Sequence, residues 1–428
     1  MVVMADKSVP TSDHIRDIIS FVEASPTSYH AVAELTRRLE QAGFQRLEET
    51  ESWPSVEGRR YVVRDGAVIA WITPEKVTPQ LGARIVGSHT DSPSFKLKPN
   101  ATVTNQGWQQ VGMEVYGGGL LNSWLDRDLG LSGRLVTCDG QAHLVRTGPI
   151  LRISQLAPHL DRTVNDDLKL DRQRHLMPIL SVGKPDLDVE DLLCEAAGIK
   201  RDELAFHDVF AHLTQSPAVI GPYGEFLASQ RMDNLSSVHS SVAAFVDVKP
   251  TSDVAVMACF DHEEVGSATR SGACGPFLED VLVRIAEGFG MTGAAYRAMI
   301  AKSSCVSSDA GHGVHPNYVE KFDPANHPLL NEGLLLKINA HQRYATDGVG
   351  GALWQRACAA AGVPTQNFVS NNSVPCGSTI GPLTATRLGM LTVDVGVPLM
   401  SMHSTRELAG TADLTYLSKA LGAYWAGA

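Results

Sequence analysis

Apolar runs of strand length alternate along this chain with stretches of helical period. Val254-Ala255-Val256-Met257-Ala258-Cys259-Phe260 has no polar position, as expected of a strand buried on both faces. Arg84 to Ser88, the segment before Ser308, Leu334 to Ile338 and Val393 to Val397 read as further strands. His14 to Val22 is amphipathic, begins after the capping residues Thr11-Ser12-Asp13 and stops before Pro26. Tyr29 to Ala42 reads as a second helix, closed by Gly43, which can take the left-handed position past a helix end. Ser236 to Val246 is helix-like. This alternation predicts an α/β fold whose site gathers at the carboxyl edge of the sheet. From about Lys98 to Gly224 the texture changes to short β-rich pieces, such as Gly133–Thr137 and His143–Thr147, followed by a charged stretch from Pro185 to Glu203. That region predicts an inserted β-rich domain over 99–224, with 1–98 and 225–428 forming one discontinuous domain.

The chemistry sits where the apolar runs end. Asp261-His262-Glu263-Glu264 follows the Val254–Phe260 run, and a turn there can aim two acids into one cleft. Alone, such a pair is most often a solvated cap. Four other segments change the weighing, because each delivers a metal-ligand residue type at a strand end or turn. They carry His89 with Asp91, Asp233, Asp309 and His403. This set suits two divalent cations that share one bridging carboxylate, with an open position for water. One glutamate would hold a cation while the other takes a proton from the attacking water. Cysteine is absent from the set, which argues against a structural zinc site; zinc, manganese and cobalt all suit it.

The chain resembles the M18 family of metallo-aminopeptidases, the aspartyl aminopeptidases, over essentially its whole length. The resemblance is carried by Gly87-Ser88-His89-Thr90-Asp91-Ser92-Pro93, Asp126-Arg127-Asp128-Leu129-Gly130 and Arg231-Met232-Asp233-Asn234-Leu235. Asp261-His262-Glu263-Glu264-Val265-Gly266-Ser267, Ser308-Asp309-Ala310-Gly311-His312, Leu336-Lys337-Ile338-Asn339, Gln342-Arg343-Tyr344-Ala345-Thr346 and Met402-His403-Ser404-Thr405-Arg406-Glu407 carry it further. It implies a dizinc-exopeptidase-like α/β/α catalytic domain and two divalent cations per chain. Asp233 would bridge, His89 and Asp309 would complete one ion's site, and Glu264 and His403 the other. Glu263 would be the general base, and Asp91 would orient His89. The resemblance also implies that Lys337 contacts an acidic substrate side chain, against the bland reading of a lysine snorkelling to water. His159 would reach the site of a neighbouring subunit as a substrate-binding residue rather than a ligand. The inserted domain would mediate subunit contacts in a tetrahedral dodecamer.

Composition narrows the partners. A net charge of −11 disfavours nucleic acid and anionic membranes, and it opposes the approach of acidic peptides, so selectivity needs local cations. Seven cysteines without C-x-x-C pairing read as free thiols in a reducing compartment. Met1 to Lys7 lacks a signal-peptide pattern, and no run approaches the ~20 apolar residues of a membrane span, so the expected location is the cytoplasm. His262 is expected to bond locally, His327 and His341 to lie in loops, and His312 and His315 to lie in a Gly-rich turn. Tyr116-Gly117-Gly118-Gly119 lacks phosphate-loop spacing. The expected activity is release of N-terminal residues, preferably Asp or Glu, from peptides with a free N-terminus. A carboxypeptidase or amide deacylase with the same ligand layout, and a non-catalytic assembly protein, are the alternatives.

Overall fold

Three sheets organise the computed structural model, which describes residues 12–78 and 80–428. The largest has nine strands, in the order Gln45–Arg46, Arg59–Arg64, Ala67–Ile72, Val254–Phe260, Ala83–His89, Ser304–Ser308, Leu391–Gly396, Leu334–Ile338 and Thr365–Val369. Its centre is parallel, with Val254–Phe260 and Ser304–Ser308 flanking Ala83–His89 and Leu391–Gly396 beside them. Parallel strands need both faces covered, and the side-chain period of two divides the work. Ala255, Met257 and Cys259 enter one core, shared with helices Asp13–Ala24, Ser28–Gln41, Met232–Phe245, Gly348–Ala361 and Thr411–Trp425. Val254, Val256, Ala258 and Phe260 enter the other, against Phe277–Gly288, Ala294–Lys302 and the start of Ile380–Leu388. Each large side chain so buried contributes roughly 1.5–3 kcal/mol, so a charge at Met257 would unseat one layer. The expected α/β class, in an α/β/α arrangement, is what the chain adopts.

Both expected N-terminal helices form, each about one residue earlier than the apolar pattern suggests. Ser12 caps the first by accepting the Ile15 N–H, and Thr27 caps the second by accepting the His30 N–H. Gly43 has φ +83°, the left-handed turn its position required. Thr11 and Met1 to Lys7 lie outside the described residues.

The second sheet is antiparallel and six-stranded, in the order Ala142–Arg146, Leu129–Thr137, Leu204–Leu213, Ser94–Asn105, Trp108–Tyr116 and Ile179–Val182. It has its own core, including Phe95, Leu131 and Val209. Helix Val189–Ala197 packs there through Val189, Leu193 and Cys194, inside the stretch that sequence presented only as charged. Asp188 caps it by accepting the Glu190 N–H. A third sheet orders Ala218–Ile220, Phe226–Ser229, Glu407–Gly410, Pro398–Met400 and Gly311–His312. It stands where the chain enters and leaves the site.

Candidate metal centre

His89 ends a central strand, Glu263 and Glu264 follow the next, and Asp309 follows the third. Asp233 opens helix Met232–Phe245 with φ −84° and ψ 102°, so its backbone is not yet helical. His403 sits in the turn after Pro398–Met400 with φ +67°, a strained conformation for a non-glycine residue. These elements converge at one edge of the sheet, where parallel strands end.

Asp233 lies at the middle. Its Oδ1 stands 3.3 Å from His89 Nε2 and its Oδ2 stands 3.2 Å from His403 Nε2. Asp309 Oδ1 and Glu263 Oε2 lie 3.9 and 4.0 Å from His89 Nε2, and Glu264 Oε2 lies 3.5 Å from His403 Nε2. One acid thus divides the cluster into two halves, each with an imidazole and a further carboxylate.

Hydrogen bonding at the back of each ring fixes its tautomer. His89 Nδ1 lies 3.1 Å from the Asp91 carbonyl oxygen, and His403 Nδ1 lies 2.9 Å from the Gly118 carbonyl oxygen. A carbonyl only accepts, so both Nδ1 atoms carry hydrogen and both neutral rings turn an Nε2 lone pair into the acids. Lone pairs facing carboxylates need either a proton or a cation between them. Burial pulls the His89 and His403 pKa values down, but Asp233 and its neighbours overcome it and push His403 up to about 10 and His89 well above its usual range. Burial and the surrounding acids push Glu263 up to about 7 and Glu264 well above the usual carboxylate range.

The donor set fits divalent ions. Asp233 Oδ1 and Glu264 Oε1 are buried without hydrogen-bond partners. Two atoms about 2.0–2.1 Å from one tetrahedral zinc stand roughly 3.3–3.4 Å apart, close to the 3.2–3.5 Å seen here. His89, Asp233 and Glu264 offer atoms within 4.8 Å of one another.

Asp91 stands directly behind. Its carboxylate oxygens accept the Glu263 and Glu264 N–H groups at 3.0 and 3.1 Å and the Tyr116 hydroxyl at 2.8 Å. Burial alone would raise its pKa; His89 and these donors hold it below the usual range. Lys337 is not a snorkelling residue. It is 1 % exposed and donates to the Ala310 carbonyl at 2.7 Å, 4.0 Å from Asp309. With His312 and Tyr344 it lines a cleft of about 210 Å³ beside Glu263 and His403. His159 lies in an exposed turn and is not brought to this centre within one chain. His262 bonds locally to Thr269 and Ser271, while His315, His327 and His341 occupy loops.

Two contributors went unassigned in the sequence. Tyr116 buttresses Asp91, and nothing in its Gly-rich surroundings signals that. Glu407 accepts main-chain N–H groups of Asp233 and His403, and its signal was a lone acid heading an apolar strand.

Comparison with known proteins decides the family. Residues 21–425 match the family of aminopeptidase I zinc metalloproteases, M18. The chain belongs to the M18 family. It is therefore a metal-dependent aminopeptidase, a zinc metalloprotease by the family's description. The probable M18 family aminopeptidase 2 of Streptomyces coelicolor is 48% identical over 96% of this chain and 97% of its own length. The Pseudomonas fluorescens protein of the same name is 44% identical over 96% and 97%. Among solved structures, Ape4 in complex with Nbr1 superposes with a TM-score of 0.94 at 34% identity, covering 99% of this chain and 87% of that one. The S. cerevisiae mApe1 dodecamer gives 0.84 at 28% identity, covering 96% of each.

Proposed function

We propose that this M18 member uses two divalent cations to release N-terminal residues, preferably Asp or Glu, from peptides. The carrying observation is Asp233, whose two oxygens face two imidazoles that each turn a lone pair inward. His89, Asp233 and Asp309 would hold one ion and His403, Asp233 and Glu264 the other, with zinc favoured by the family's description. Bound there, the ions supply Lewis-acid polarisation of the scissile carbonyl and acidify water.

The chain's own residues supply the rest. Glu263 lies at the cleft with 18% of its side chain exposed, where burial raises its pKa and bound cations would lower it, and its carboxylate is placed to take and return a proton. It removes the proton of the attacking water and delivers one to the leaving amine. Asp91 fixes the main chain of both glutamates while holding the His89 ring. Lys337 offers an ammonium beside Asp309 that pairs with an acidic substrate side chain, offsetting the chain's net charge of −11.

The inserted unit, 99–224, is proposed to make subunit contacts and to present exposed His159 to substrate in a neighbouring copy. A relative solved as a dodecamer supports a homo-oligomer, proposed as tetrahedral, and the expected location is the cytoplasm. Among the described residues no helix is long and apolar enough to cross a membrane. The test is steady-state hydrolysis of Asp-, Glu-, Leu- and Lys-peptides after metal removal and re-addition of zinc, manganese or cobalt. Restored cleavage favouring Asp or Glu is expected. Restored cleavage favouring Leu would remove the acidic pocket, and cleavage of N-acylated peptides would turn the reading towards a deacylase.

A further inference from the structure

We infer that Glu407 is a positioning residue that locks the two halves of the metal centre to each other, an inference that rests on the two-ion reading above. Glu407 is 2 % exposed, and each of its carboxylate oxygens accepts the main-chain N–H of a different ligand residue. Oε2 accepts from Asp233 at 3.0 Å and Oε1 from His403 at 2.7 Å. It does not line the cleft beside Lys337 and Glu263, and both of these hydrogen bonds are to main chain, so its action is on where those two ligands stand.

The third sheet explains why such a brace is placed here. Strand Glu407–Gly410 runs between Phe226–Ser229, which leads to Asp233, and Pro398–Met400, which leads to His403. The two ligands therefore arrive from opposite neighbours of one strand, and Glu407 heads that strand opposite Ser229. Both ligands follow strained backbone. Arg231, two residues before Asp233, has φ +57°, Ser401 has φ +56° and His403 has φ +67°. Such conformations persist only where surrounding bonds over-determine them. The sheet's own hydrogen bonds end before either ligand is reached, and the Glu407 carboxylate spans the remaining gap. Because the bridging acid and the second imidazole are both anchored to it, the His403–Glu264 half depends on Glu407 through two ligands, whereas the His89–Asp309 half depends on it through Asp233 alone.

The fold supplies a control of the same form. Asp413 is also fully buried and also accepts two main-chain N–H groups, those of Asn331 and Gly333, at 2.5 and 3.0 Å. Its partners lie in a loop without any candidate ligand. A role confined to stability would make Glu407 and Asp413 behave alike.

The experiment measures zinc affinity by competition with a chromophoric chelator, and the absorption spectrum after cobalt loading, on purified full-length protein. It compares the wild type with Glu407→Gln, Glu407→Asp and Asp413→Asn, with circular dichroism and size-exclusion elution reporting folding and assembly. The glutamine keeps one accepting oxygen but turns an amide N–H against the other main-chain donor. We expect Glu407→Gln to bind the ion of the His403–Glu264 half about 10–100-fold more weakly and that of the His89–Asp309 half with a smaller loss, with an altered cobalt spectrum. Glu407→Asp, one methylene too short to reach both donors, should weaken the same ion less. Asp413→Asn should melt earlier yet keep both affinities. Wild-type affinities and spectrum in a folded Glu407→Gln or Glu407→Asp chain would overturn the inference, and so would an equal loss in Asp413→Asn. A wild-type chain that binds only one ion would instead overturn the two-ion reading and this one with it, a result distinguishable because it needs no variant.

Discussion

Two clusters in this molecule, one half-buried and one buried, are built from the same residue types and solve opposite problems. At the N-terminal helices, Asp17 faces His239 Nε2 at 2.8 Å and accepts from the two terminal Arg38 guanidinium nitrogens at 2.7 and 2.9 Å. Arg38 also donates to Glu34 at 2.7 Å, so the acids there have their cation inside the protein. At the candidate metal centre Asp91, Asp233, Glu263, Glu264 and Asp309 converge with Lys337 beside Asp309 and with Arg231 near Asp91, and buried oxygens of Asp233 and Glu264 have no hydrogen-bond partner. The electrostatic outcomes follow. The bond to His239 and the Arg38 guanidinium hold Asp17 well below the usual carboxylate range, against its burial. Burial and mutual repulsion push Glu263 up to about 7. One cluster neutralises itself and cements two helices; the other is left short of positive charge, which is the condition for binding a cation from solution.

Breaking that contrast most directly means removing the charge-deficient centre. Asp233→Ala deletes the acid common to both halves and should lose both ions, read by elemental analysis of the purified chain. Retention of two ions per chain would show that Asp233 does not bridge. Glu263→Gln should lower kcat by about 10²–10⁴-fold while metal content stays near that of the wild type. Wild-type turnover with intact metal would exclude Glu263 as the base.

A smaller effect is expected at the Lys337 ammonium in the cleft. Lys337→Met removes the charge but keeps much of the apolar stem. A hydrogen bond to a charged group contributes roughly 1.5–3 kcal/mol, so the preference for Asp- over Leu-peptides should fall about 10–100-fold, mostly through KM. An unchanged preference would move acidic selectivity to another residue. Because Lys337 also donates to Ala310, next to Asp309, metal content must be measured alongside.

How far the sequence could be read follows the same division. The convergence of acids and imidazoles at the candidate site was legible because its residues interrupt a pattern: His89 ends an apolar strand, and Glu263–Glu264 crown a run that contains no polar residue. Burial of Val254 to Phe260 followed from the absence of polar positions, and three of the helices, at His14, Tyr29 and Ser236, from period, whereas Phe277–Gly288, Ala294–Lys302, Gly348–Ala361, Ile380–Leu388 and Thr411–Trp425 were not singled out. What stayed hidden acts through the main chain or through long-range contact. Glu407 accepts two N–H groups, one of them 174 residues away, and local pattern carries no trace of that. Tyr116 reaches Asp91 across two strands of chain. The Asp17–His239 pair was equally silent, since a histidine on an amphipathic helix has no visible partner in sequence. Helix Val189–Ala197 was obscured because its buried face is only Val189, Leu193 and Cys194 among acids.

The self-neutralising cluster makes the last and mildest prediction, and its sign separates it from the metal centre. Burial pulls His239 down to about 4, although Asp17 favours its charged form; at neutral pH the ring is uncharged and Arg38 is the charge that balances Asp17. In the unfolded chain His239 returns to about 6.5. Between those values the unfolded state binds a proton that the folded state refuses, so stability is complete above about pH 6.5 and declines as pH falls towards 4. The ceiling on that loss is about 3 kcal/mol. His14, whose ring lies 5.0 Å from His239 and whose pKa burial also lowers, adds to the slope with the same sign. Asp17, with its pKa depressed, adds its own loss only at lower pH, where its carboxylate begins to take a proton. His239→Gln preserves a donor towards Asp17 and cannot titrate. In the metal-free protein, where ion release cannot contribute, its denaturant midpoint should therefore change less between pH 7 and 5 than that of the wild type. An identical pH response in the two proteins would show that His239 does not change its protonation on unfolding, and would leave the helix cluster as an electrostatically inert joint.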